Sequence, residues 1–170
     1  MPDKIHIDYE TFSAADLEEV GAYRYAADPT ARILMMAIAL NDEEPRILLP
    51  NDVLEAFGWE QDPMALEWGQ RLSDTAVLVY AHFAGFEIAV SRYRLEEDLG
   101  LTPPAITQWR CTAAMARRAA LPANLEQLAE TLSLTQRKDP TGKKLIKLFS
   151  CPQTNGKRKG ERIMPWERPD

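Results

Sequence analysis

The stretch TAVLVYAH, residues 75–82, constrains the fold more than any other part of the chain. Its near-continuous apolar run is what a central strand buried on both faces requires, because such a strand shows no face to water. It leads through Gly85 into FEIAVSRYRLEEDLG, whose apolar positions Phe86, Ile88, Ala89, Val90 and Tyr93, with Gly100 as a stop, predict a helix. Upstream, KIHIDYE (4–10) reads as a strand, the polar stretch 13–29 has helical character, and ARILMMAIAL (31–40) reads as a second strand. Turn residues at 41–44 join it to a short strand at 45–50, giving a hairpin. Segment 62–72 opens a helix with Asp62 as N-cap and Pro63 at the first helical position. Beyond Gly100, ITQWRC predicts a further strand, CTAAMARRAAL and NLEQLAETLSL predict helices, the second capped by Asn124, and GKKLIKLFS predicts a last helix. A hairpin followed by strands alternating with helices predicts an α/β fold, a mixed sheet with helices on both faces.

Within the first strand, IHIDYETFS sets a chemical problem. Asp8 and Glu10 are two residues apart, and on a strand residues i and i+2 share a face. Two carboxylates aimed at one spot repel each other unless a cation or a proton lies between them. A third carboxylate follows the central strand: Glu87, in AHFAGFE, sits one turn into the next helix. With the 75–82 strand beside the first one, Glu87 faces Asp8 and Glu10 across the strand ends. Three carboxylates with no matching Cys or His cluster form an oxygen-rich set suited to Mg²⁺ or Mn²⁺. Such ions hydrolyse phosphodiesters in pairs about 4 Å apart. Each piece also has a plainer explanation: a solvated strand face for Asp8 and Glu10, a surface helix position for Glu87, and strand-end hydrogen bonding for His82 and His6. Tyr23 and Tyr25 either stack on a base or pack over the core.

Composition excludes several classes. With 170 residues, 45% apolar and 27% charged, the chain is expected to pack around a single core. The longest clean apolar run, ILMMAIAL, is far short of the roughly 20 residues a spanning helix needs. The first ten residues hold three acids and no apolar leader, so a cytoplasmic location is expected. Cys111 and Cys151 lack the spacing of a zinc cage or a disulfide framework and are expected to be ordinary thiols. Charge is uneven: residues 1–135 carry 10 basic and 22 acidic side chains, residues 136–170 carry 10 basic and 4 acidic. A basic block on an acidic body either follows phosphates or is a solvated tail. Residues 1–150 are expected to form the domain, and residues 151–170, rich in Pro, Gly and charge, a basic loop or disordered tail.

The motifs together resemble a known family. IHIDYETFS is similar to the first motif of the DnaQ-like (DEDD) 3′→5′ exonucleases, in which an apolar strand ends in Asp-x-Glu-Thr. AHFAGFE is similar to their second motif. Over nearly the whole chain, including DLEEVGAYRYAADPTARILMMAIA, QWRCTAAMARRAALPANLEQLAETLSL and KDPTGKKLIKLFSCP, the pattern resembles the proofreading exonuclease region of phage and bacterial family A DNA polymerases. The resemblance implies a ribonuclease H-like fold and stepwise removal of nucleotides from a DNA 3′ end by two Mg²⁺ or Mn²⁺ ions. It implies that Asp8 bridges both metals, that Glu10 helps bind the ion activating water, and that Glu87 holds the other. It places Thr11 and Phe12 against the terminal nucleotide through their backbone, and His82 and Phe83 at the substrate. The implied partners are a single-stranded or frayed DNA 3′ end and a DNA polymerase domain or other replication partner.

Two departures stand out. Phe83 occupies the position where the family has Asn, and it either stacks on a base or joins the core. The third motif, an Asp four residues after a Tyr or five after a His, is expected beyond the chain's last residues; Glu167 and Asp170 lack its context. The exonuclease reading therefore stands beside a non-catalytic nucleic-acid-binding or polymerase-associated module of the same fold, and a ribonuclease H-like hydrolase acting on RNA.

Overall fold

The structure is a computed structural model that describes residues 2–135, 141–152, 156 and 159. Most of the expected tail, with Arg158, Glu167 and Asp170, lies outside the described residues. The chain runs β1 (Lys4–Phe12), α1 (Leu17–Ala27), β2 (Arg32–Leu40), β3 (Arg46–Leu48), α2 (Asn51–Phe57) and α3 (Pro63–Gln70). It continues through β4 (Leu78–Ala81), α4 (Gly85–Leu99), β5 (Trp109–Cys111), α5 (Thr112–Arg118), α6 (Leu125–Thr131), α7 (Gly142–Leu145) and a π-helical turn at Ile146–Ser150 that packs against β1. The sheet has the order β3-β2-β1-β4-β5. Strands β3, β2 and β1 are antiparallel neighbours, while β4 and β5 join β1 in parallel. This is the mixed α/β sheet, with the ribonuclease H-like strand order, that the motifs imply.

Alternation builds the core. Along β1, Ile5, Ile7 and Tyr9 are buried while Lys4, His6 and Asp8 are exposed. The antiparallel register sets Ile7 opposite Ile38 and Tyr9 opposite Met36, so the apolar residues of β2 join the same layer. Helix α3 contributes Ala65 and Trp68, the turn after it Leu72, and α4 Ala89, Val90 and Leu95. Helices α3 and α4 pack on β2, and α1 packs on α4.

The central strand is shorter and less enclosed than the 75–82 run predicts. The Asp74 carboxylate accepts from the Ala76 N–H at 2.9 Å, which folds Thr75 and Ala76 into a turn ahead of the strand. Within β4 only Val79 and Ala81 are buried; Tyr80 is half-buried and stacks on His6, its partner in the β1 register, with ring centroids 5.2 Å apart. The predicted ITQWRC strand divides into a 3₁₀ turn at Ile106–Gln108 and the short β5, because Gln108 turns inward. Its buried amide nitrogen lies 3.1, 2.9 and 3.1 Å from the carbonyls of Leu72, Asp74 and Val77. The helical stretch after β1 is interrupted at Gly21, whose φ of 75° breaks α1 into two short pieces. Helix α2 was not expected from the sequence.

The predicted caps are present: Asp62 accepts from the N–H groups of Met64 and Ala65, and Asn124 from those of Glu126 and Gln127. A buried ionic clamp fixes α4 against β2. The Asp98 carboxylate accepts from the Ile33 N–H at 2.7 Å and pairs with Arg94 at 2.7 Å and Arg32 at 3.5 Å. Among the described residues no helix is long and apolar enough to cross a membrane.

Candidate active site at the ends of β1 and β4

The two parallel strands part company early. β4 pairs with β1 only from Leu78 to Tyr80, opposite Lys4 to His6, whereas β1 runs on to Phe12. Ligands of open α/β sheets gather in such crevices at the carboxyl ends of parallel strands. Helix α4 follows β4 here, and its first turn carries Glu87. Although that position reads as helix surface in the sequence, Glu87 is only 4% exposed. Its carboxylate accepts from the Tyr9 backbone N–H, past the point where β4 pairs. Its Oε2 is buried and has no hydrogen-bond partner among the described residues.

Burial raises the Glu87 carboxyl to about 9, with the nearby charges of Asp8 and Glu10 adding to the effect. The structure thus brings the three predicted carboxylates within electrostatic reach of one another, with Asp8 and Glu10 on the β1 face opposite Ile7 and Tyr9. As they stand, no three or more His, Cys, Asp or Glu side chains among the described residues are grouped to hold a metal ion. What fits a cation is the donor chemistry: a buried orphan carboxylate oxygen, repelled by two further carboxylates, with no competing nitrogen or sulfur donor in the set. Beneath it, the buried Tyr9 hydroxyl is 2.8 Å from Ser91 on α4, which ties the strand to the helix behind the site. Burial, above all, holds that phenol protonated.

The remaining predicted residues divide. Thr11 and Phe12 are both buried, Thr11 with its hydroxyl 3.1 Å from that of Tyr25, so any contact they make with a ligand falls to the main chain. A register shift between Glu10 and Thr11 marks a bulge there. Tyr25 is buried in the core layer while Tyr23 is exposed, edge-on to Tyr93. His82 is committed to the fold: its Nε2–H donates to the Ala123 carbonyl at 2.8 Å and its Nδ1 lies 3.0 Å from the Thr112 hydroxyl. Phe83 has not joined the core. It is 48% exposed, has a φ of 57°, and lies under the Arg117 guanidinium, 5.7 Å from its ring centroid. Arg117 was not singled out in the sequence; the one available signal was its place in a basic pair on the helix following the strand after AHFAGFE.

Both cysteines are free. Burial pushes the Cys111 thiol up, but backbone N–H groups of Ala114, Ala84, Ala113 and Phe83 outweigh it and lower its pKa. The sulfur therefore helps hold the loop after β4 against the start of α5.

No family model matches the chain. It is 35% identical over 166 residues to the DNA polymerase of Bacillus phage SP02. This chain is related to a phage DNA polymerase. The alignment takes in 94% of the chain and 22% of the polymerase, so the chain spans about a fifth of that relative's length. Among solved structures, Brucella melitensis NrnC is similar with a TM-score of 0.49 and 20% identity, over 82% of this chain and 56% of that one. NrnC bound to pGG gives the same TM-score and identity over 82% and 57%. These are distant likenesses. The resemblance to phage DNA polymerases seen in the motifs thus has a direct counterpart extending over nearly all of the chain.

Proposed function

We propose that this chain is a proofreading-type exonuclease domain that removes nucleotides from DNA 3′ ends with two Mg²⁺ or Mn²⁺ ions. The observation that carries the reading is the Glu87 carboxylate: buried, with Oε2 lacking a partner among the described residues, and repelled by Asp8 and Glu10. A protein keeps such an arrangement at a cost to its stability, and a bound cation removes that cost. The relation to a DNA polymerase over 94% of the chain supports nucleic acid as the substrate and a polymerase domain as the partner.

Asp8, Glu10 and Glu87 would hold the ions. When bound, the ions supply an activated water and charge for the leaving oxygen. The chain's own contribution is placement. Tyr9 N–H fixes the Glu87 carboxylate, Ser91 and the Asp98 clamp fix α4 relative to β1 and β2, and His82 anchors the loop between β4 and α4. The main chain at Thr11 and Phe12 borders the place for the terminal nucleotide. The test is a 5′-labelled single-stranded DNA incubated with Mg²⁺ and then Mn²⁺, with Asp8→Ala run in parallel. Stepwise shortening that disappears in the variant is expected; shortening that persists undiminished in it sinks the proposal.

A second reading, a nucleic-acid-binding module without turnover, is favoured by one observation: no group of three or more potential ligands is assembled for a metal among the described residues. It predicts salt-sensitive DNA binding with no shortening in either metal.

A further inference from the structure

Phe83 is a bulky aromatic held in the left-handed backbone region, with φ of 57°. That region is uncommon for any residue with a β-carbon and is best tolerated by Gly, Asn and Asp. Core packing does not explain the conformation, since the side chain is 48% exposed. Strain of this kind is characteristic of positions that serve a ligand. The loop imposes it: the Phe83 carbonyl accepts from the Phe86 N–H at 3.1 Å to open α4, while the preceding His82 ring is fixed to Thr112 and Ala123. The Phe83 ring is thereby presented at the start of the helix whose first turn carries Glu87, bordered edge-on by His82 at 4.8 Å.

The second element is Arg117, in the last turn of α5, its guanidinium 5.7 Å from the Phe83 ring centroid. It is exposed and forms no ion pair among the described residues. A half-exposed aromatic ring with an exposed guanidinium over it offers a stacking surface and a phosphate donor together, the combination that binds single-stranded nucleic acid without reading sequence. A base inside a duplex already has both faces stacked, so such a base must leave the duplex to use the platform.

We propose that Phe83 and Arg117 form a platform on which one unpaired base stacks while Arg117 takes the adjoining phosphate, presenting a frayed or single-stranded end to the carboxylates. The proposal rests on the reading of the β1–β4 crevice as a nucleic-acid site and adds the feature that selects unpaired over paired substrate.

The experiment is fluorescence anisotropy of a labelled single-stranded dA octamer in EDTA, so that no hydrolysis can follow. The protein is compared with Phe83→Ala, Phe83→Asn and Arg117→Ala, and an abasic residue is moved one position at a time from the 3′ end. The expected result is a loss of about 5- to 150-fold in affinity for both Phe83 variants. At one position the abasic oligonucleotide binds the parent chain as weakly as the variants do, and the two losses are not additive. Arg117→Ala lowers the salt dependence of binding by roughly one counterion. Phe83→Asn suits the backbone and separates lost stacking from lost folding. A parent chain that binds the octamer while both Phe83 variants bind it equally well overturns the platform alone. A parent chain that binds no octamer overturns the platform and the nucleic-acid reading of the crevice together.

Discussion

Replacing Glu87 by Gln should stabilise the metal-free protein, against the usual result of altering a buried residue. The folded protein holds this carboxyl at about 9 against an ordinary value of 4.5, chiefly through burial and then through Asp8 and Glu10. For an acid with a raised folded-state pKa the unfolded chain releases its proton first. The stability it would otherwise have is complete below about 4.5, declines as pH rises, and stops declining above about 9. At about 1.36 kcal/mol per unit, the loss at pH 7 is about 3 kcal/mol. The Gln amide keeps an acceptor for the Tyr9 N–H and carries no charge, though its own polar burial offsets ~1 kcal/mol of the gain. A net gain of about 2 kcal/mol, roughly 4–8 °C in melting temperature for a chain of this size, is expected in EDTA. The assay is urea denaturation of both proteins from pH 5 to 9. Their stability difference should grow with pH, and added Mn²⁺ should stabilise the parent chain but not the variant. A difference that is flat across that range, or a variant less stable than the parent chain at pH 8, refutes the reasoning.

Other perturbations separate scaffold from site. Asp98→Ala leaves Arg94 buried without its main partner and frees the Ile33 N–H, so a loss of about 3–5 kcal/mol is expected in urea denaturation. Ser91→Ala removes the partner of a buried tyrosine hydroxyl and should cost about 1–3 kcal/mol, visible as a lower denaturation midpoint. Phe83→Asn relieves left-handed strain but loses the Arg117 contact, and these opposing effects should leave its melting temperature within roughly 2 °C of the parent chain.

Much of the architecture was legible because its signals are local. Asp62 with Pro63, and Asn124, cap helices through side chains that reach only two or three residues along the chain, and the alternation of β1 is written directly in KIHIDYE. Helix α2 was not legible: with seven residues between Pro50 and Gly58 it is too short to show a helical period. What the sequence did not carry is what tertiary contacts decide. The apolar run at 75–82 overstates β4 because Asp74 folds its beginning into a turn, and because the second face of the strand is only half covered. Glu87 looks like surface because a carboxylate in a first helical turn ordinarily is. Only the early separation of β4 from β1, and the seating of α4 by Asp98 and Ser91, place it in the interior. Whether Phe83 joins the core was open in the sequence, and its exposure decides that it does not.

The most direct test of the proposed site is titration of the folded protein with Mn²⁺, following free Mn²⁺ by electron paramagnetic resonance, in the parent chain and in Asp8→Ala and Glu87→Gln. Saturable loss of the free-ion signal in the parent chain, weakened at least tenfold by each substitution, is the expected result. Mn²⁺ uptake that is absent from the parent chain, or unchanged by either substitution, contradicts a cation site built from Asp8, Glu10 and Glu87.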